Sequence, residues 1–142
     1  MTRERARAFF DERQAHWHAR DADALAKGHA LTGTIISPIF GRRSGRDAIR
    51  QSYQALFTIF PDWAFVSEAP ILDGARIALP FSVTATHVGE FMGVVGTNRR
   101  FQIRGVMLIE MGDDGIQSEE RLYDFTGFLI QVGVLRAKPG KD

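Results

Sequence analysis

Residues 116–135 read IQSEERLYDFTGFLIQVGVL, and their pattern changes in the middle. The first half alternates charged and apolar residues, as a half-buried strand does. In that reading Ser118, Glu120, Leu122 and Asp124 share one face, while Glu119, Arg121, Tyr123 and Phe125 share the other. After Asp124 the alternation gives way to FTGFLIQVGVL, which has room for one or two helical turns before Gly133. A carboxylate therefore stands where a strand hands over to an apolar segment. It faces either a cavity or the amino end of the next helix.

Working back from this stretch, the preceding residues read as paired strands. Gly112 to Gly115, GDDG, turns the chain as a hairpin, and residues 101–111 before it alternate regularly. Residues 76–87 form a second long strand with Ile77, Leu79, Phe81, Val83, Ala85 and His87 on one side. A glycine-punctuated connection, VGEFMGVVGTNRR, joins the two. Residues 63–72 form a strand that ends at the turn Asp73-Gly74.

The amino-terminal part reads as helix. Ala6, Phe9, Phe10, Arg13 and Trp17 mark one face of a helix over residues 2–20, with Thr2 as its cap. DADALAKGHAL is a second helix capped by Asp21 or Asp23, with Leu25, His29 and Ala30 inward, stopped at Thr32-Gly33. A short strand, residues 34–37, ends at Pro38, and FGRRSG is a loop. Ile49, Tyr53, Leu56, Phe57 and Phe60 then mark a third helix that Pro61 terminates.

The 142 residues suffice for one domain, and 44% apolar with 25% charged residues is an ordinary globular composition. A formal net charge of +1 gives no electrostatic case for nucleic acid or an anionic membrane surface. The absence of cysteine removes disulfide and thiolate chemistry. Four scattered histidines offer no metal-ligand spacing, and GRRSGR lacks the lysine-containing ending of a phosphate loop. The start, MTRERARAFFDER, is too charged for a secretory signal, and no apolar run approaches the roughly 20 residues of a membrane span. A cytoplasmic protein is the expectation.

Several short motifs carry a family resemblance. Asp124, Gly127, Leu129, Gln131 and Gly133 follow a strand in the order D-x-x-G-x-L-x-Q-x-G. Gly45, Arg46, Ala48 and Ile49 lead to Phe60-Pro61-Asp62, and Thr86-His87 leads to Gly89-Glu90-Phe91 and Gly93. Together these resemble the SnoaL-like polyketide cyclases and predicted ester cyclases, which have the nuclear transport factor 2-like fold. One departure is the lack of the acidic residue usual near Gly33.

The resemblance implies an α+β cone: three amino-terminal helices packed against a curved, mostly antiparallel sheet of four to six strands. Residues 1–135 would be the domain and residues 136–142 a frayed tail. Strand glycines such as Gly105, with Gly89 and Gly93, allow the curvature. The expected concave face carries Phe81, Val83, Ile103, Met107 and Leu122, with Trp63 and Phe91 nearby, as a hydrophobic pocket or as a solid core. The implied activity is cyclase- or isomerase-type acid–base chemistry, without a cofactor, on a hydrophobic carbonyl-bearing small molecule. The alternative is a non-catalytic ligand-binding or dimerisation domain of the same fold.

Asp124 matches the acidic residue that the family's cyclases use as general acid/base, and a carboxyl group in an apolar cleft suits that task. It is equally suited to cap the following helix. His87 matches the family histidine and could orient a carbonyl, or serve as a hydrogen-bonded structural residue. His29 and Tyr53 are candidates to face the same cone, as is Glu120, which otherwise pairs at a rim. His16 and His18 read as surface residues. Arg104 suggests the epoxide hydrolases of this fold, but Val106 stands where their second acid is needed. Val106, Leu108 and Tyr123 alternate onto the face away from the cone, which implies a homodimer through that face.

Overall fold

The computed structural model describes residues 1–136 and Lys138. The expectation of a frayed tail falls largely on residues outside these. Two helices open the chain, α1 (Arg3–Ala19) and α2 (Ala22–Lys27). Thr2 and Asp21 cap them by accepting from the Arg5 and Ala24 amides, as their short polar side chains allow. Then follow β1 (His29–Ser37), β2 (Gly41–Ser44), α3 (Arg46–Ile59), β3 (Ala64–Ser67), β4 (Ile71–Asp73), β5 (Arg76–Thr86), β6 (Arg100–Gly112), β7 (Gly115–Tyr123) and α4 (Phe125–Gln131).

One seven-stranded sheet runs β2-β1-β7-β6-β5-β3, with β4 also on β5. The pairings are antiparallel except β1 with β7, which is parallel. This is the α+β arrangement expected, with more strands than four to six. The FGRRSG loop contains β2, which pairs Ile35 with Arg43 and Ser37 with Gly41. The expected strand over residues 63–72 divides into β3 and β4. No helix among the described residues is long and apolar enough to cross a membrane.

His29 opens β1 instead of lying on the second helix. That helix ends at Gly28, and the Ile116 amide donates to the Gly28 carbonyl at 2.9 Å, drawing the chain into the sheet. The larger correction concerns β7. Ser118 pairs with Glu110 and Ile116 with Met111, so Gln117 is an extra residue against one step of β6. Such a bulge reverses which side chains face inward. Ile116 is buried, and beyond the bulge Glu119 and Arg121 are buried, whereas Leu122 is 44% exposed and Glu120 also faces outward. Leu122 and Glu120 are therefore absent from the concave face, and Tyr123 is on it.

The core lies between the helices and the sheet's concave face. Aromatic rings supply much of it: Trp17 stacks on Phe65 at 4.4 Å, and Phe128 meets Phe101 edge-on at 4.7 Å. Gly105 marks where β6 is pressed against both neighbours. A Cβ there would run into the Leu122 carbonyl, and would stand 2.9 Å from the Phe81 ring and 3.0 Å from Tyr123 Cβ. Gly105→Ala should therefore lower stability by about 2 kcal/mol through overpacking. Chemical denaturation giving wild-type stability would show that this approach does not constrain the fold.

Candidate functional site

Where α1, α3, β1 and β7 converge, a polar group is enclosed in the apolar core. Arg13, His29, Tyr53, Glu119 and Arg121 are all buried, His29 and Tyr53 completely. The Tyr53 hydroxyl is the junction. Arg13 Nη2 donates to it at 3.0 Å and Arg121 Nη2 at 3.2 Å, while His29 Nε2 stands 2.8 Å away. A phenol oxygen that accepts from two guanidiniums has its one proton left to give, so Tyr53 donates to His29 Nε2. The His29 proton then resides on Nδ1, which is buried without a partner.

Charges explain the protonation states. Burial, reinforced by the Arg13, Arg121 and Arg46 guanidiniums, holds His29 down to about 3 and hence neutral. Burial also raises the Tyr53 phenol. Glu119 is buried too, which by itself would favour the acid. Burial is the largest single influence, yet the Arg121 and Arg13 charges and the Arg121 hydrogen bond together outweigh it and keep the carboxyl below its ordinary range. The pair closes through Arg121 Nε to Glu119 Oε2 at 2.8 Å.

Arg121 also lines a narrow apolar cleft beside this cluster, a cavity of about 20 Å³, room for a single water. Trp17, Trp63, Phe81 and Met107 form its walls, Tyr123 stands beside Arg121, and Ile39 and Phe40 fill the mouth. Arg121 engages Nε and Nη2, which leaves Nη1 without a hydrogen bond among the described residues. Burial keeps the Tyr123 phenol protonated, so it too is a donor. The indole N–H of Trp63 is buried without a partner.

Of the residues singled out from sequence, Trp63, Phe81 and Met107 line the cleft. His29 and Tyr53 lie behind Arg121, one layer deeper. His87 is fully buried elsewhere, among Phe60 and Phe91, with rings centred 6.1 Å from its own. Thr97 holds it: the Thr97 amide donates to His87 Nδ1 at 3.3 Å, which puts the ring proton on Nε2. Phe91 packs there and not in the cleft. Asp124 is exposed and accepts from the Gly127 amide at 2.9 Å, the capping alternative of its two readings. Glu120 and Leu122 are on the opposite face of the sheet. Among the described residues, no three His, Cys, Asp or Glu stand where they could hold a metal ion.

Arg121, Glu119 and Tyr123 were missed because the bulge at Gln117 inverts the strand's parity. Arg13 and Trp17 were legible as an inward helix face, but their role was not.

His29 makes stability depend on acid. The unfolded imidazole takes a proton below about pH 6.5, while the folded one resists until about 3. Stability should thus fall from pH 6.5 toward 3, by on the order of 4 kcal/mol in total from this group. Denaturation of His29→Gln, which keeps an acceptor for Tyr53, should show a flatter profile over that range. An equally steep profile would assign the acid sensitivity to other groups.

The family described as SnoaL-like polyketide cyclase matches residues 7–132. No curated protein matches the chain. Among solved structures, AclR from Streptomyces galilaeus, a proposed hydroxylase, is 25% identical with a TM-score of 0.80, covering 97% of this chain and 87% of its own. IdmH from Streptomyces antibioticus, a proposed polyketide cyclase, is 21% identical with a TM-score of 0.71, covering 89% and 96%. TerC, co-crystallized with polyporic acid, is 16% identical with a TM-score of 0.73, covering 89% and 96%.

Proposed function

The chain belongs to the SnoaL-like polyketide cyclase family, and from that premise we propose a cyclase-type enzyme whose cone binds a hydrophobic, carbonyl-bearing small molecule. The observation that carries this reading is Arg121, whose Nη1 has no hydrogen bond among the described residues, in the wall of a mostly apolar cleft. The guanidinium is fixed by Glu119 and Tyr53 before any ligand arrives, so it reorganises little when charge develops beside it. TerC, which shares the fold and was co-crystallized with polyporic acid, supports a small-molecule ligand for this fold. The ligand displaces Ile39 and Phe40, since the space behind them is too small for more than water.

The chemistry follows from donors. A C–H next to a carbonyl loses its proton to water, and the electron pair moves onto the carbonyl oxygen as an enolate held by Arg121 and Tyr123. The enolate carbon then attacks a second carbonyl of the same molecule. The resulting alkoxide takes that proton back from the hydronium ion, which regenerates the water. Arg121 lowers the barrier because it meets a negative oxygen in a water-poor site.

Deleting Arg121 alone would strand Glu119 as an uncompensated buried charge. The test therefore uses the double variant Glu119→Gln/Arg121→Met, with turnover of a linear polyketide-type ketone as readout. It should lose about 10²- to 10³-fold in kcat. Asp124→Asn, which preserves the α4 cap, should keep its turnover. The opposite pattern would assign the chemistry to Asp124. A non-catalytic binding domain is the second reading, favoured by the lack of any carboxylate or imidazole among the cleft-lining residues. Binding of the ketone with no turnover by wild-type protein would establish it.

Our reading also includes a homodimer. Ile36, Leu108 and Leu122 are each 38–44% exposed on adjacent strands of the sheet's outer face. Arg104 and Glu120 add both signs of charge to that face, so a second copy could complement it. Light scattering at micromolar concentration should give twice the 15.9 kDa of the chain. A mass of 15.9 kDa would refute it.

A further inference from the structure

Resting on the reading of the cone as a ligand site, we infer that the cleft takes its ligand as an anion, an ionised enol or carboxylate whose oxygen meets Arg121. The enclosed charges do not balance. Arg13 and Arg121 are buried cations, and a third guanidinium, partly buried Arg46, donates through Nε and Nη2 to the His29 carbonyl at 3.1 and 2.8 Å. Against these three stands one buried carboxylate, Glu119. His29 and Tyr53, which lie between them, are neutral. Among the described residues no carboxylate lies within ion-pair distance of Arg13 or Arg46.

A surplus of buried positive charge is costly in an apolar interior unless something compensates it. Arg13 and Arg46 are occupied by neutral acceptors: the Leu25 carbonyl and the Tyr53 hydroxyl for one, the His29 carbonyl for the other. Arg121 alone of the three opens on the cleft. The other polar groups there point the same way, since Tyr123 is a protonated phenol and Trp63 an indole N–H. Ser37 Oγ already accepts from the Phe40 amide and has a proton left to give. The cleft therefore offers donors and one free cationic edge, with no anionic group facing them. A ligand whose oxygen is negative before reaction satisfies this set, and a neutral ketone satisfies it only in part.

Gly28 supports the same construction. A Cβ at this position would collide with Arg13 Nη1. The absence of a side chain there lets the Arg13 guanidinium reach both the Leu25 carbonyl and Tyr53, where it adds to the positive potential behind Arg121.

Isothermal titration of the wild-type protein near neutral pH separates the possibilities. The probes are two anions with uncharged counterparts of similar shape: 2-naphthoate against 2-naphthamide, and the enolate of dimedone against its enol methyl ether. Each anion should bind at least about ten-fold tighter than its counterpart, and Glu119→Gln/Arg121→Met should abolish the preference. If naphthoate alone shows the preference, the site reads carboxylates; if dimedone alone, it reads enolates. Equal affinity within both pairs would overturn the anion inference and leave the cleft reading standing. No binding of any probe would overturn the cleft reading together with it.

Discussion

One phenol oxygen ties the molecule together. The Tyr53 hydroxyl, carried by α3, receives Arg13 from α1 and Arg121 from β7 and gives its proton to His29 at the start of β1. Every polar atom in an apolar interior must find a partner or carry a penalty of about 1–3 kcal/mol. The four elements are therefore held in one mutual arrangement, because a shift of any of them unpairs the rest. A core of aromatic rings alone would tolerate several packings of similar energy. The polar junction selects one of them and fixes the guanidinium that faces the cleft.

The same junction explains why so little space remains inside the cone. Trp17 stacks on Phe65, and the Arg121 guanidinium also lies over the Trp17 ring, 5.8 Å from its centre. Phe40 and Ile39 occupy the mouth, and Arg43 lies over the Phe40 ring at 5.9 Å. Ligand-sized cavities are commonly ten or more times larger. The residues that would have to move are those of the short Pro38–Phe40 turn, where the Phe40 amide donates to the Ser37 hydroxyl. The floor, by contrast, is fixed by charge-assisted bonds.

Much of this architecture is legible in the chain. The caps at Thr2 and Asp21, the inward faces of α1 and α3, the hairpin at residues 112–115 and the handover from strand to helix at Asp124 all follow from local chemistry. The family motifs also point to the cone. What alternation could not reveal was the bulge at Gln117, because an extra residue leaves no mark in a pattern read two by two. It exchanged the faces of β7, sending Leu122 and Glu120 outward and bringing Glu119 and Arg121 inward. A buried glutamate and arginine two apart look like a solvated face in sequence. Arg13, His29 and Tyr53, polar residues on the apolar sides of their segments, hinted that the interior held polar partners.

The parallel contact between β1 and β7 sets the order in which this chain can mature. Thr34 pairs with Ser118, and Ile35 with Glu119, so one of the first strands made waits for the last. At about 5–20 residues per second of synthesis, that wait lasts several seconds on the ribosome. During it, β1 has only the short hairpin partner β2, and the Arg13 guanidinium has no Glu119 to balance it. Such long-range pairing also slows refolding of the finished chain, since loop closure must precede the contacts that reward it. Nascent chains ending before β7 are thus the species in which the open edge of β1 is free to pair with a neighbour, and the ones a chaperone would have to shield.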